Sequence, residues 1–193
     1  MARQKDFDTE KVIQESMKVF WRKGFYATSL NDLTTATGLH KGSLYSAFES
    51  KEKLFELSLQ NYGNMMRGVF IQDECPVKYL KRFFREMIKD GLSGKAESGC
   101  LVMNSTKEFG TEKSHKAEMA RSLFDEIRQN FGRVLDLAIE QEKVPLDIKK
   151  KVVVDRLVGA AFSIRELSKF KRERALLKNV ANGALKDLNI TIT

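Results

Sequence analysis

Residues 38–48 read GLHKGSLYSAF, a short apolar run interrupted by glycine, lysine, serine and tyrosine. Glycine inside a helix costs about 1 kcal/mol relative to alanine, so Gly42 is an unfavourable choice if this segment is helical. A missing side chain is useful where another backbone must come close. The sequence therefore predicts a close approach at Gly42, either by another molecule or by a neighbouring helix of the same chain.

The segment before this run has the pattern of two helices separated by a turn. Apolar residues recur at helical spacing over 10–23, and Gly24 is placed to end that helix. Ser29 followed by Asp32 resembles a capping box, with aspartate in the glutamate position. Gly38 then stops the short helix that this box begins.

A third short helix is predicted over about 40–46, and Ser50 is placed as the N-cap of a longer helix. Residues 8–48 therefore hold three helices, of which the last two are short and joined by a tight glycine turn. This is the layout of a helix-turn-helix unit, although the spacing alone also fits any small helical subdomain.

Longer helical patterns fill the rest of the chain, and Asp147 is placed to cap one of them. The candidate helices are 76–92, 98–109, 114–142, 147–170 and 173–189. We therefore predict an all-α fold of about nine helices. A helix-turn-helix domain would occupy 1–50, and a helical ligand-binding and dimerisation domain would occupy 51–193.

The overall charge is a weak guide to function. The net charge of +8 invites a nucleic-acid partner. Residues 1–62, however, hold 9 Lys/Arg and 8 Asp/Glu, whereas the remaining residues hold 25 and 18. The excess of positive charge thus lies outside the helix-turn-helix pattern. Only the positions of individual residues within that pattern can therefore indicate a contact with nucleic acid.

Several classes of protein are disfavoured by what the sequence lacks. No stretch approaches the roughly 18 apolar residues of a membrane span, and the charged N-terminus lacks the apolar segment of a secretory signal; we expect a cytoplasmic protein. The two cysteines are too few for a disulfide framework, and the Cys/His spacing suggests no metal site. No phosphate loop, G-x-S-x-G motif or catalytic carboxylate pair is present, so we expect neither an enzyme nor a cofactor.

Residues 11–55, KVIQESMKVFWRKGFYATSLNDLTTATGLHKGSLYSAFESKEKLF, resemble the DNA-binding domain of the tetracycline-repressor (TetR) family. The specific parts are KGF-x-A-T-S at 23–29, TGLHKGSLY at 37–45 and F-x-S-K-E-x-L at 48–54. The resemblance implies a homodimeric transcriptional regulator, usually a repressor, that binds double-stranded DNA at a near-palindrome. It also implies a C-terminal domain that binds a small ligand, which weakens DNA binding.

The resemblance assigns DNA contacts to the recognition helix and to the helix ends beside it. These residues are Thr28, Ser29, His40, Lys41, Gly42, Ser43, Leu44, Tyr45 and Lys51. Lys41 reaches a phosphate or a base edge unless it is simply solvated, and Tyr45 contacts the sugar–phosphate unless it is a core residue. Leu44 meets a thymine methyl or lies in the core. Ser29 is a cap, a phosphate contact or both.

Three positions depart from the family pattern. His40 stands where serine is frequent, and it either contacts DNA or only caps the helix. Ala47 replaces a tyrosine or histidine that often touches phosphate, so that contact is expected to be absent. Trp21 replaces a small residue and is either exposed or packed on the second domain.

Apolar and sulfur-containing residues of the second domain are candidates for a ligand pocket, although plain core is the alternative for each. They are Phe70, Phe83, Phe84, Met87, Cys100, Met103, Phe124 and Phe131. Small and apolar residues on one face of the last two long helices are assigned to the dimer interface by the resemblance. They are Leu157, Ala161, Ile164, Leu177, Ala181 and Ala184.

The stretch ESGCLVMNSTKEFG at 97–110 is the second candidate site. Similar Gly-Cys-Leu stretches occur in a subgroup of the family, some members of which sense electrophiles or oxidants. Cys100 follows Gly99 near a predicted helix N-terminus, which favours the reactive thiolate of a cysteine, and Lys95 and Lys107 are near in sequence. The alternative is a small buried residue between helices. Cys75 is expected in a loop.

The leading prediction is a ligand-responsive, DNA-binding transcriptional regulator. Both a repressor and an activator fit this prediction, and the repressor is favoured. The released state would follow binding of a small apolar or electrophilic molecule. A helical adaptor, or an enzyme that uses a small-molecule pocket without binding DNA, is the competing hypothesis.

Overall fold

The computed structural model describes residues 7–70, 75–94 and 99–192. Within these ranges the chain forms nine α-helices, one short 3-10 helix and no strand. The helices are α1 (Thr9–Lys23), α2 (Leu30–Thr37), α3 (Lys41–Phe48), α4 (Lys51–Val69), α5 (Pro76–Ser93), α6 (Leu101–Phe109), α7 (His115–Glu140), α8 (Lys150–Leu167) and α9 (Arg174–Leu185), followed by the 3-10 helix at Lys186–Leu188. The all-α prediction is confirmed.

The chain divides into two compact units. The first unit runs up to Gly68 and also contains Leu101–Ser122, and the second contains Val69–Cys100 and the chain from Leu123 onward. The helix-turn-helix candidate therefore shares its unit with α4, α6 and the first part of α7. The functional boundary at residue 50 stays a prediction.

The first unit is organised by its caps and by one aromatic core. Asp8 caps α1 by accepting the amide protons of Glu10 and Lys11. Gly24 ends α1 in the left-handed region at φ +83°, a conformation that side-chain-bearing residues rarely adopt. Below this turn, the ring of Phe55 lies 5.0 Å from that of Phe20 and 5.1 Å from that of Phe25, centroid to centroid. This core fixes the α1 end against α4.

The second unit is built on α8, which packs along α9, while both helices contact α5. The facing side chains, such as Leu157 and Leu177, are fully buried. After the 3-10 helix, the Asn182 side chain accepts the amide proton of Ile192 at 2.8 Å and so holds the C-terminal segment.

The predicted start of α8 is wrong by three residues. Asp147 lies in an exposed turn and does not cap the helix, which begins at Lys150 with Lys149 in the N-cap position. The backbone turns there first, because the Lys150 amide donates to the Ile148 carbonyl. A capping residue near a helix start in sequence therefore does not by itself locate the first turn.

Candidate nucleic-acid interface

The predicted helix-turn-helix consists of α2 and α3, two eight-residue helices joined at Gly38. The predicted capping box is present: the Asp32 amide donates to Ser29 Oγ at 3.1 Å, and the Ser29 amide donates to Asp32 Oδ2 at 2.9 Å. Gly38 then ends α2 in the left-handed region at φ +72°. This conformation turns the chain sharply, so that α3 begins three residues later.

One face of α3 points to solvent. Lys41, Gly42 and Ser43 are exposed, as is the Tyr45 ring at 43%. A Cβ placed on Gly42 would meet no atom within 4 Å. Tight packing against another of the described helices is therefore not the reason for glycine at this position, and the exposure of Tyr45 excludes a core role for its ring.

His40 occupies the N-cap of α3, but its side chain makes no capping hydrogen bond. The imidazole is exposed at the start of the same face. The structure therefore does not support a capping role for this side chain, and a contact between His40 and DNA stays a prediction. Ala47 is only partly exposed.

Thr28 is not available for a DNA contact through its side chain. It is buried, and its hydroxyl donates to the Gly24 carbonyl at 2.5 Å. Its role is to close the turn between α1 and α2, which corrects the assignment from the family pattern.

Leu44 and Lys51 also make contacts within the first unit. Leu44 is buried, because it lies on the face of α3 opposite to Gly42. Lys51 Nζ donates to the Phe25 and Thr28 carbonyls at 3.0 Å each and lies 4.4 Å from the centre of the Phe25 ring. Its ammonium group holds the α1–α2 loop, so the predicted phosphate contact is corrected to a structural one.

The N-terminus of α2 carries its own charge. Lys23 bonds Asp32 at 2.5 Å, and together with the Ser29 bonds it lowers the pKa of the Asp32 carboxyl to about 2. The exposed Ser29 hydroxyl is already in this box. Ser29 is therefore a cap, and any phosphate contact would be additional.

Sequence reasoning missed the contacts that hold the α1–α2 loop from α6. The Glu108 carboxylate on α6 accepts the backbone amide protons of Phe25 and Tyr26. After the end of α6, Glu112 accepts the side-chain hydroxyl proton of Tyr26, at 2.9 Å. These partners are more than 80 residues apart in sequence. No local pattern marks such a pair.

Trp21 packs within the first unit. Its ring lies edge-on to the Tyr62 ring at 5.0 Å, and its carbonyl accepts a proton from the Asn104 amide group. The side chain is half-buried, so full exposure is excluded.

Four of the candidate pocket residues form an aromatic cluster in the second unit. The rings of Phe70, Phe83 and Phe131 lie 5.2–5.7 Å apart, and Phe84 lies 5.3 Å from Phe83. Phe124 stacks instead on Phe162 at 5.5 Å. Of the remaining candidates, Met87 and Cys100 are buried in the second unit, and Met103 belongs to the first.

A cavity of about 540 Å³ lies elsewhere in the second unit, beside the end of α9. It is lined by Asn182, Gly183, Lys186, Asn189, Ile190 and Thr191. None of the predicted pocket residues lines this cavity.

The predicted dimer-interface residues are on the wrong face of their helices. All six, Leu157, Ala161, Ile164, Leu177, Ala181 and Ala184, are buried within the single chain. They face inward because α8 and α9 pack on each other and on α5. The stripe is therefore an intrachain core.

The opposite faces of α8 and α9 are exposed. We call these two exposed helix faces together the outer face. It is defined by Val152, Gly159 and Ser163 on α8 and by Asn179 and Gly183 on α9. A Cβ on Gly159 or Gly183 would meet nothing within 4 Å. Helices that expose glycine and serine in this way permit close approach of another helix.

Neither cysteine forms a disulfide. Cys100 is buried, follows Gly99 in the left-handed region at φ +68° and directly precedes α6, whereas Cys75 is half-buried before α5. Lys95 lies outside the described residues. Within the described part of the chain, no helix is long and apolar enough to cross a membrane, and no group of His, Cys, Asp and Glu could hold a metal ion.

Comparison with known sequences identifies residues 12–57 as a match to the family profile described as bacterial regulatory proteins, tetR family. The matched range contains most of α1, all of α2 and α3, and the first turns of α4. The HTH-type transcriptional repressor ComR of Escherichia coli (strain K12) is 29% identical over 126 residues, which cover 63% of this chain and 60% of that protein. The chain thus matches less than two thirds of the length of that relative.

Solved structures extend the likeness over the whole chain. A cysteine-substituted variant of the TetR family transcriptional regulator CifR, complexed with a 26-bp double-strand operator DNA, has a TM-score of 0.81 and 25% identity, with 97% of this chain and 100% of that chain covered. A TetR family regulator from Cytophaga hutchinsonii has a TM-score of 0.83 and 20% identity, with 100% and 99% covered. The second likeness shows the fold alone.

Proposed function

We propose that this chain, whose residues 12–57 match the tetR family of bacterial regulatory proteins, is a DNA-binding transcriptional repressor. It binds a near-palindromic operator as a homodimer, with one α3 in each of two successive major grooves. A small molecule or electrophile bound by the second unit releases it. The homologues found are transcriptional regulators, and we propose no enzymatic activity for this chain.

The observation that supports DNA binding best is the exposed face of α3. Lys41 offers a cation and Tyr45 a ring with a hydroxyl on one side of a short helix, and His40 offers an exposed imidazole at the start of that helix. Gly42 lies among them with open space where a side chain would stand. This combination suits a helix that approaches a phosphate backbone closely, with the polar side chains around it making the contacts.

The test is a binding selection from random duplex DNA with the purified full chain. One palindrome should be enriched by the wild type and lost in the variant that combines Lys41→Ala with Tyr45→Ala. Lys89→Ala, which removes an exposed lysine from α5, is the charge-matched control and should select the same palindrome. A double variant that still enriches the palindrome would rule out α3 as the reading helix.

Dimerisation is proposed to use the outer face of α8 and α9. The outer face is proposed as the dimer interface in place of the apolar stripe, because the residues of that stripe are buried within one chain. The glycines of the outer face permit close packing of helices across a two-fold axis. In this arrangement the same patch is used twice, which gives the operator its symmetry.

The effector site is proposed to include the cluster of Phe70, Phe83, Phe84 and Phe131. Met87, which lies on the same helix α5 as Phe83 and Phe84, is proposed to belong to this site as well. Cys100 is the proposed point of reaction if the effector is an electrophile. Quinones, aldehydes or hypochlorite should then release the wild type from its operator but not the Cys100→Ser variant, as measured by fluorescence anisotropy of labelled operator. Equal release of both proteins would remove Cys100 from the mechanism.

The competing hypothesis is a helical adaptor that does not bind DNA. Salt dependence separates the two, because each phosphate contact releases counterions and steepens the fall of affinity with salt. A repressor of this kind acts on chromosomal DNA, so we propose a cytoplasmic location.

A further inference from the structure

The loop between α1 and α2 binds a carboxylate with its backbone. The Phe25 amide donates to Glu108 Oε2 at 2.8 Å and to Oε1 at 3.1 Å, and the Tyr26 amide donates to Oε2 at 3.1 Å. Hydrogen bonds to an ionised acceptor are stronger than neutral ones. Glu108 is therefore a strong attachment of α6 to this loop.

Gly24 is adapted to the same carboxylate. A Cβ on Gly24 would lie 1.6 Å from Glu108 Oε1, so any side chain there would collide with it. The residue also needs the left-handed φ of +83°. Ending α1 accounts for the conformation of Gly24, whereas the missing side chain is accounted for by Glu108.

Two further contacts surround this attachment. Asn104, one turn before Glu108 on α6 and hence on the same helix face, donates to the Trp21 carbonyl at 3.3 Å. From the other side, Lys51 donates to the carbonyls of Phe25 and Thr28. The loop is thus held through its amide protons by α6 and through its carbonyls by α4.

The held loop ends where the reading pair begins. Thr28 bonds back to Gly24, and Ser29 opens α2 with its capping box. We propose that Glu108 is a positioning residue for DNA recognition, which sets the place of α2 and α3 by fixing the amide groups of Phe25 and Tyr26. The inference rests on the proposed DNA-binding function and assigns it a residue outside the helix-turn-helix.

The experiment uses the full chain and the operator obtained by selection. Operator affinity, its salt dependence and amide hydrogen exchange at Phe25 and Tyr26 are measured for the wild type, Glu108→Gln and Glu108→Ala. Glu112→Gln is the matched control, because Glu112 bonds the Tyr26 hydroxyl and Lys116 rather than the backbone of the loop.

We expect both Glu108 variants to lose at least tenfold in operator affinity and to exchange the two amides faster. The slope of affinity against salt should stay at the wild-type value, because no phosphate contact is removed. Glu112→Gln should remain within about threefold of the wild type. A role in stability alone would lower the unfolding temperature but leave affinity unchanged well below it, and that result would overturn the inference.

A double-mutant cycle gives an independent test. Gly24→Ala must displace the carboxylate, so adding Glu108→Ala to it should reduce affinity by less than twofold further, whereas Glu108→Ala alone has its full effect. Additive losses would contradict the proposed contact. If the wild type selects no duplex, the DNA-binding function and this inference both fail, whereas selection by all variants alike overturns the inference only.

Discussion

Asp32 stabilises the start of α2 through two partners. Its carboxylate accepts the Ser29 amide proton and also pairs with Lys23 at the end of α1. A hydrogen-bonded, ion-paired carboxyl prefers its charged form, which is why its pKa falls from 3.8 to about 2. The Asp32 side chain thus completes the capping box of α2 and links this helix to α1 through Lys23.

The pH dependence of stability follows from this shift. Because the folded-state pKa lies below the unfolded value, the contribution of Asp32 is present above about pH 4. It is lost as the pH falls toward 2. Asp32→Asn should therefore be less stable than the wild type at pH 7, and the difference should shrink between pH 4 and pH 2. Urea unfolding at several pH values measures it.

Asp125→Asn is the control for this prediction, since Asp125 is an exposed carboxylate on α7. Its difference from the wild type should be small and nearly constant with pH. A difference for Asp32→Asn that is the same at pH 7 and pH 2 would show that the carboxylate charge contributes nothing to the cap.

The residue scale also shows what local patterns reveal. The Ser29–Asp32 box and the Gly24 and Gly38 stops could be predicted, because each depends on neighbours within a few positions. Glu108 could not be predicted, because its partners are more than 80 residues away. Lys51 matched a family pattern, yet its ammonium group lies between two backbone carbonyls.

At the scale of an element, α3 combines an exposed polar face with a glycine that lowers its helix propensity. Its buried side is provided by Leu44 and Phe48, whereas the outer side has glycine in the first turn. Alanine at that place would be a better helix former. None of the described residues packs against Gly42, so packing within the chain does not account for this glycine, and a close approach of DNA is our proposal for it.

Gly42→Ala should affect stability and binding in opposite directions. We expect the free protein to gain about 0.5–1 kcal/mol in the free energy of unfolding, because alanine loses less conformational entropy in a helix. Operator affinity should fall about tenfold or more, because the added methyl group stands at the close contact. Urea unfolding and operator titration measure the two effects.

Gly68→Ala is the control, since Gly68 is an exposed glycine of α4 with equal space around it. It should change stability without changing operator affinity. A Gly42→Ala protein that is more stable and binds its operator as well as the wild type would show that no close approach occurs at α3.

The helices could largely be predicted from the sequence. Which face of a helix packs inside the chain and which faces outward could not. Helical periodicity predicted each of the nine α-helices of the described residues, with ends that differ from the observed ones by up to four residues. The apolar stripe on α8 and α9 was also real, but periodicity reports only that a face is buried. Leu157 and Leu177 are buried by each other's helices and by α5 in the same chain, so the stripe carried no information about a second copy.

At the scale of the whole molecule, the proposed function requires two copies. A single α3 offers few contacts, whereas two linked reading helices bind one palindrome with the gain of a second, intramolecular step. The outer face, with Gly159 on α8 and Gly183 on α9, is the surface that we propose to join them. Dimerisation and operator affinity should then be lost together.

Gly159→Glu combined with Gly183→Glu tests this link. Glutamate is a better helix former than glycine, and both positions are open, so each protomer should stay folded. The mass in solution should fall from twice 22.1 kDa to 22.1 kDa, and affinity for the full palindrome should fall about 100-fold, toward that for a half-site. Light scattering and operator titration measure the two quantities. Gly68→Glu, the same change at an open position of α4, should leave both unchanged; a double variant that remains dimeric would place the interface on another surface.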